Sequence, residues 1–276
     1  MTSSPIRDVE DSPTRTAVPE LKRRAAWGSG TSDPVIRVTD LTRRFGATTA
    51  LASVSLSLPR GTVYGLVGAN GAGKTTLIKH VLGLLQAESG SVRVFGLDPV
   101  ADPVGVLSRI GYLSEENDLP GWMRVDELIR YSRAFYPDWD DGYAEELRQS
   151  FALDPAARIR HLSKGQKARA GLLIALAYRP ELLVLDEPSS GLDPIVRRDI
   201  LGAVIRTIAD EGRTVLFSSH LLDEVEEVAD HVTMISRGTI VLSDRLDAIK
   251  ASHGGRSLAE IFVAHAGTAA APSADA

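Results

Sequence analysis

Nine consecutive residues have the types and spacing of a loop that binds phosphate. They are Gly68, Ala69, Asn70, Gly71, Ala72, Gly73, Lys74, Thr75 and Thr76. They fit the pattern G-x-x-x-x-G-K-[ST], in which glycines let the backbone turn its N–H groups toward an anion at a helix N-terminus. Lys74 would place a point charge between the β- and γ-phosphates, and the Thr75 hydroxyl would bind the Mg²⁺ that bridges them.

The elements predicted around this loop are those that such a loop requires. Residues 63–67 form a short, mostly apolar run that predicts a buried strand. Residues 77–85 repeat apolar side chains at helical spacing. A glycine-rich turn that happens to precede Lys-Thr is the alternative, and the strand–loop–helix setting disfavours it.

Two carboxylates follow a second apolar strand, predicted at residues 182–185. Ligand chemistry in α/β sheets lies at the carboxyl ends of the strands. Asp186 would hold Mg²⁺ directly or through water, and Glu187 could orient and deprotonate an attacking water. Alone, the pair is also compatible with a strand that ends in a polar turn; together with the phosphate loop it favours a catalytic site.

A third motif opens the helix predicted from Ser163 to Tyr178. Ser163 and Gln166 fit the capping box S-x-x-[EQ], and an apolar helix follows. Simple helix capping explains this pattern. A functional interpretation adds a second anion site at the helix N-terminus, where Gly165 would allow close approach of the backbone.

Composition limits the possible classes of protein. The chain has 276 residues, 43% hydrophobic and 24% charged, as in ordinary globular proteins of one or two domains. Its net charge of −5 does not suggest nucleic-acid binding. The absence of cysteine excludes disulfides, thiolate zinc sites and cysteine nucleophiles. No apolar run approaches the ~18 residues of a membrane span.

Composition and periodicity divide the chain into segments. Residues 1–33 are rich in Ser, Thr, Pro, Arg and Glu and predict a disordered extension. Residues 34–250 carry an α/β pattern, interrupted at about 99–166 by a helical stretch that predicts an inserted subdomain. Residues 251–276, which are Ala-rich after His265, predict a mostly flexible tail.

In this order, the motifs resemble those of the nucleotide-binding subunits of bacterial ABC transporters. Residues 162–166 read LSKGQ where that family has the signature LSGGQ, and residues 190–193 are similar to its D-loop. His220 is similar to the family's switch histidine, and the likeness spans residues 35 to about 250. The resemblance implies a P-loop NTPase α/β core with a mainly parallel sheet, an N-terminal antiparallel β subdomain and an inserted helical subdomain.

The resemblance also implies roles for individual residues. Phe45 matches the aromatic residue that stacks on adenine, although a core phenylalanine is the alternative. His220 would contact the γ-phosphate and the catalytic water, and Asp193 belongs to the D-loop. The signature loop would close on the nucleotide held by a second subunit, so that two ATPs lie between two head-to-tail cassettes. The signature residues are Ser163, Lys164, Gly165 and Gln166.

Two residues depart from the family's pattern. Lys164 replaces a glycine of the signature, and its charge could help to attract phosphate. Glu115 stands where many relatives have glutamine; either side chain offers an oxygen to Mg²⁺ or its water. The extra negative charge of Glu115 could weaken ATP binding slightly.

The function that the resemblance implies is ATP hydrolysis, with ATP and Mg²⁺, coupled to a separately encoded membrane permease. The stretch at 135–139 and the tail at 257–262 favour an exporter. An importer cassette, or a soluble ABC ATPase that acts on ribosomes or DNA, is the alternative, and no nucleic-acid partner is expected. The expected partners are a second ATPase subunit, identical or closely related, and the permease, which would hold the cytoplasmic protein at the inner face of the cell membrane.

Four side chains of the helical stretch are predicted to contact that permease. They are Trp122, Met123, Tyr136 and Trp139. Aromatic and methionine side chains are common at interfaces, but these four could equally form the small core of the subdomain.

Overall fold

The computed structural model describes residues 33–209 and 212–268, which begin with a three-stranded antiparallel sheet. Its strands, in the order β2-β1-β4, are β1 (Ile36–Phe45), β2 (Thr48–Leu58) and β4 (Ser89–Val94). Ile36, Val38 and Leu41 are buried on β1, whereas Arg37 is exposed. One face of this sheet therefore packs on the core, as predicted for the antiparallel subdomain.

A second sheet of six strands carries the centre of the fold, in the order β5-β6-β7-β3-β8-β9. The strands are β3 (Val63–Val67), β5 (Ile110–Leu113), β6 (Leu182–Asp186), β7 (Thr214–Ser219), β8 (His231–Ser236) and β9 (Thr239–Arg245). All neighbours are parallel except β8 and β9, so the predicted mainly parallel sheet is confirmed. Every residue of β3, β6 and β7 is buried, because helices and the antiparallel sheet cover both faces.

Helices connect and cover these strands. They are α1 (Lys74–Val81), α2 (Pro103–Leu107), α3 (Val125–Arg133), α4 (Asp141–Ser150), α5 (Lys164–Leu176), α6 (Pro194–Ala209), α7 (Leu222–Val228), α8 (Leu246–Ser252) and α9 (Leu258–Thr268). A 3₁₀ turn at Ile159–His161 precedes α5. α5 contacts β5, α3, α4 and α6, so it joins the helical region to the sheet. Within the described ranges, no helix is long and apolar enough to cross a membrane.

The stretch predicted as helical, 99–166, contains α2, α3, α4 and the 3₁₀ turn, but also β5 of the six-stranded sheet and the start of α5. Most of its buried side chains, among them Met123 and Phe151, belong to the same hydrophobic cluster as Leu185 on β6, whereas Val106 and Ile110 belong to the cluster that contains Leu41 on β1. The stretch therefore packs through α5 onto the main core, and its limits as a separate subdomain stay a prediction.

The C-terminal region differs from the predicted flexible tail. The chain continues into α9, where Leu258 and Ile261 are buried and the backbone N–H of Leu258 donates to Glu226 Oε2 at 3.0 Å. The spacing of these two side chains matches one face of a helix. Residues 269–276, like residues 1–32 of the predicted N-terminal extension, lie outside the described residues.

Candidate functional site

The carboxyl ends of three strands, here called strand exits, meet at one edge of the parallel sheet. β6, β7 and β3 are adjacent, with Asp186 opposite Ser218 and Val67 opposite Ser219. The segments that follow these strands are therefore neighbours. This topology brings the phosphate loop, the Asp186–Glu187 pair and His220 together from three distant parts of the sequence.

The phosphate loop needs glycine at Gly73 for two reasons. Its φ is 113°, in the left-handed region that favours glycine, and a Cβ there would lie 2.7 Å from the carbonyl oxygen of Ala50 on β2. Gly73 is also the residue from which α1 starts. The close approach of β2 thus fixes the position of the α1 N-terminus at the site.

Lys74 is held in a buried polar setting. Its Nζ donates to the carbonyl oxygens of Gly68 at 2.6 Å and Ala69 at 3.1 Å, and it lies 3.0 Å from Glu187 Oε1. A buried ammonium group needs such partners to offset its lost hydration. An entering phosphate would compete with the Glu187 carboxylate for this cation.

Glu187 occupies the centre of the site. Its Oε2 lies 2.6 Å from His220 Nδ1, and its backbone N–H donates to Ser218 Oγ at 3.0 Å. Its φ of 48° is left-handed, which costs about 1–2 kcal/mol for a residue with a side chain. The hydrogen bonds hold this conformation and direct the carboxylate between Lys74 and His220.

Asp186 is buried beside Thr75 and Ser218. Burial raises the pKa of the Asp186 carboxyl group, and the neighbouring charges of Glu187 and Glu115 add to that rise, whereas hydrogen bonds from Ser218 and Thr75 oppose it. The Ser218 Oγ donates to Asp186 Oδ1 at 2.7 Å. A cation bound here would relieve the crowding of negative charge.

The side chains of this site would supply only part of the coordination shell of a Mg²⁺ ion. In the described chain, no three acidic or histidine side chains are arranged to hold a metal ion. Thr75 and Asp186 do lie within hydrogen-bonding reach of each other, which suits adjacent ligands. Mg²⁺ commonly takes one or two protein oxygens and fills its octahedron with phosphate and water. The residues therefore fit a Mg²⁺ ion that arrives with a nucleotide.

These groups border a cleft of about 610 Å³. It is lined by Thr48, Thr49, Ala50, Asn70, Gly71, Gly73, Lys74, Thr75, Thr76, Glu115, Glu187 and Arg237. Ser190 Oγ donates to Glu115 Oε1 at 3.3 Å, which ties the predicted Mg²⁺ ligand to the D-loop. Arg237 was not predicted from the sequence, because one arginine in a hairpin turn carries no recognisable signal.

Phe45 lies at the rim of this region rather than in the core. The ring is 46% exposed, and the Arg43 guanidinium lies 4.8 Å from its centroid. Phe45 pairs across the hairpin with Thr48, which lines the cleft. The core alternative is therefore wrong, and stacking of Phe45 on a base stays a prediction.

The signature residues lie elsewhere. Ser163 Oγ accepts a hydrogen bond from the Gln166 N–H at 3.2 Å, and Gln166 Oε1 accepts one from the Ser163 N–H at 3.0 Å, so the capping box is formed. A Cβ on Gly165 would lie 2.7 Å from Val196 Cγ2, so this glycine is needed for packing on α6. Among the described residues that line the cleft, none belongs to 163–166.

Asp193 has a structural role within its own chain. Its Oδ1 accepts hydrogen bonds from the backbone N–H groups of Ile195 at 3.0 Å and Val196 at 3.1 Å. These contacts cap the start of α6. The D-loop is thereby fixed between Glu187 and α6.

Comparisons with known proteins agree with this geometry. The family described as ABC transporter matches residues 51–190. The daunorubicin resistance ATP-binding protein DrrA3 of Streptomyces coeruleorubidus is 34% identical over 230 residues, covering 81% of this chain and 72% of that protein. The bacitracin transport ATP-binding protein BcrA of Bacillus licheniformis is 31% identical over 218 residues, covering 78% and 71%. A solved ATP-binding subunit of an ABC transporter superposes with a TM-score of 0.77 at 28% identity, covering 84% of this chain and 99% of that one.

Proposed function

Because this chain belongs to the ATP-binding subunits of ABC transporters, a family of ATPases, we propose that it hydrolyses ATP in the cleft beside Lys74. The observation that carries the proposal is the Glu187 carboxylate, held between Lys74 and His220 at the edge of the sheet. A carboxylate with one oxygen turned to a phosphate-binding lysine can accept the proton of a water that attacks the γ-phosphate. His220 would keep that carboxylate oriented and contact the γ-phosphate.

The phosphate loop and the residues around it would bind the nucleotide. Lys74 and the loop N–H groups would hold the β- and γ-phosphates, and Phe45 would stack on the base. Thr75, Asp186 and Glu115 would hold Mg²⁺, which supplies charge neutralisation at the phosphates when bound. Ser218 positions Asp186 by its hydrogen bond, so the metal ligand is oriented before the ion arrives.

A second subunit completes the site in this proposal. The resemblance to ABC ATPases implies a pair of cassettes, and the signature residues of this chain do not line its own cleft. Ser163 uses its oxygen as an acceptor in the capping box, which leaves its O–H free to donate to a phosphate. Residues 163–166 would therefore contact the nucleotide held by a partner subunit, either a second copy or a close relative.

The assignment of Glu187 is tested by Glu187→Gln. The amide keeps the shape of the side chain but cannot accept the proton, so we expect kcat to fall at least about 100-fold. Affinity for ATP should persist because the phosphate loop is untouched. Sedimentation with saturating Mg-ATP should then show a dimer for this variant and a monomer without nucleotide. Full turnover by Glu187→Gln would remove the proposed role of Glu187.

The proposal extends to export through a permease at the inner face of the cell membrane. Its support is the likeness to a daunorubicin resistance protein and a bacitracin transport protein. No observation favours an importer cassette, or a soluble ATPase that acts on ribosomes or DNA. The substrate class therefore proposed is a drug or peptide antibiotic.

The structure revises which side chains could meet the permease. Trp122 is 67% exposed, and Tyr136 and Trp139 are partly buried, but Met123 is only 4% exposed and belongs to the core. The sequence could not separate Trp122 from its neighbour, because this irregular segment has no periodicity to assign faces. An apolar groove of about 310 Å³, which Tyr136 and Tyr178 line with their stacked rings, adds a second contact candidate.

Docking is tested by Trp122→Glu, with Val263→Glu as the matched control. Val263 is 71% exposed on α9, so both variants place a charge at an exposed apolar position. We expect Trp122→Glu to keep the ATPase rate of the isolated protein but to lose co-purification with the proposed permease. Val263→Glu should keep both. Equal retention of the permease by the two variants would place the docking surface elsewhere.

A further inference from the structure

Glu224 is a buried carboxylate that the proposed mechanism does not use. It lies on α7, four residues beyond His220, and it is 2% exposed. A carboxylate taken out of water must be matched by donors or a cation. The partners of the Glu224 carboxylate therefore indicate its role.

Each oxygen of Glu224 binds a segment that carries the site. Ser219 Oγ, in the residue before the switch histidine, donates to Oε2 at 3.2 Å. Ser189 Oγ, two residues after the proposed base, donates to the same oxygen at 2.6 Å. Arg197 Nε, in the first turn of α6, lies 2.9 Å from Oε1. One carboxylate thus joins the exits of β6 and β7 and the start of the helix behind the D-loop.

This junction bears on the contact between Glu187 and His220. The two residues follow neighbouring strands, and their side chains meet at 2.6 Å. Hydrogen bonds weaken steeply as distance and angle depart from their optimum, so the two strand exits must stay in register with each other. The backbone N–H of Leu221 donates to Ser219 Oγ at 3.0 Å, which extends the same network into the segment that carries His220.

We propose that Glu224 is a positioning residue for ATP hydrolysis. It holds the β6 and β7 exits together, so that Glu187 and His220 keep their alignment, and it connects both to the D-loop through Arg197. The inference rests on the proposed roles of Glu187 and His220. Glu224 does not line the cleft; it acts on Glu187, which does, and on His220 beside it.

The test compares Glu224→Gln with Glu226→Gln on the same helix. Glu226 also pairs with a cation, Lys250, and accepts the Leu258 N–H at 3.0 Å, but these partners lie on the C-terminal helices. Both variants therefore lose one carboxylate–cation pair, and only Glu224→Gln loosens the strand exits. Thermal unfolding measures the structural cost common to both.

Steady-state ATPase and binding of a fluorescent ATP analogue separate the two roles. We expect Glu224→Gln to lower kcat about 10- to 100-fold, the cost of a small misplacement of catalytic groups, with Kd for the analogue within about twofold of the parent. Glu226→Gln should keep kcat within about twofold. A parental kcat in Glu224→Gln, or an equal loss in both variants, would overturn the proposal.

Two further variants keep the result unambiguous. Glu187→Gln in the same assay tests the underlying assignment of the base. If Glu187→Gln turns over fully, the proposed function fails. If Glu187→Gln is inactive while Glu224→Gln is fully active, only the positioning role of Glu224 fails. If Glu224→Gln does not fold, Ser189→Ala removes the β6 link alone. We then expect kcat to fall about three- to tenfold, and an unchanged kcat would contradict the inference.

Discussion

Two helices, α1 and α5, begin at the residues that the sequence marks as anion sites, and they use their first turns differently. α1 starts after Gly73, and in the described part of the chain no side chain caps it. α5 starts after Ser163 with a complete capping box. The first four N–H groups of a helix have no partner within the helix, so a missing cap leaves donors for a ligand.

This difference shows which of the two helix N-termini can bind phosphate within a single chain. α1 combines uncapped N–H groups with the buried ammonium of Lys74 and lines the cleft. α5 satisfies two of its polar groups internally and has no buried cation at its start, because Lys164 is exposed. We therefore expect α1 to bind phosphate on its own, and α5 to add a single hydroxyl donor to a phosphate that is already bound by another subunit.

The largest expected effect is on the α1 side, in Lys74→Ala. Loss of an ammonium that bonds charged phosphate oxygens should weaken ATP binding about 10- to 100-fold. Equilibrium binding of a fluorescent ATP analogue measures this. Lys79→Ala, on the same helix but at its far end, is the control and should bind normally. Unchanged affinity in Lys74→Ala would mean that α1 needs no side-chain cation, and the contrast with α5 would lose its basis.

Whether a feature of this contrast could be predicted from the sequence depends on how far apart along the chain the residues that form it lie. Lys74 and the Asp186–Glu187 pair lie within short motifs, and the residue types of each motif indicate its chemistry. The phosphate site could therefore be predicted from the sequence. The partnership of Glu224 with Ser189 depends on which strands are neighbours, and no local pattern reveals it. Exposure at Trp122 and burial at Met123 likewise follow from tertiary packing of an irregular segment.

An intermediate effect is expected on the α5 side, in Ser163→Ala. Removal of this N-cap should cost about 1 kcal/mol of stability, because Gln166 loses its acceptor. Thermal unfolding of the nucleotide-free protein measures this cost. Binding of ATP to the monomer should not change, whereas ATP-driven dimerisation of a Ser163→Ala, Glu187→Gln double variant should weaken.

Glycine at the same position sharpens the test of Ser163. Ser163→Gly keeps much of the capping, since glycine is tolerated at an N-cap at a cost of only a few tenths of a kcal/mol. It nevertheless removes the hydroxyl. If dimerisation weakens in both variants while only Ser163→Ala loses stability, the hydroxyl acts in trans. Dimerisation that follows stability alone would assign Ser163 to capping only.

The smallest expected effect concerns Lys164, which departs from the glycine of the family's signature. Its Nζ lies 2.8 Å from the position that a Cβ on Gly191 would take, so the side chain leans over the D-loop of its own chain. The charge thus stands between the signature loop and the D-loop of its own chain. An exposed charge contributes about 0.2–1 kcal/mol, so Lys164→Met in the Glu187→Gln background should weaken ATP-driven dimerisation by at most about fivefold.

Methionine keeps a flexible apolar stem, and the loss of dimerisation should vanish at high salt if charge is its cause. Sedimentation at two ionic strengths decides this: a salt-independent loss would mean that Lys164 acts by covering the D-loop, and no loss would leave α5 to contribute through Ser163 alone.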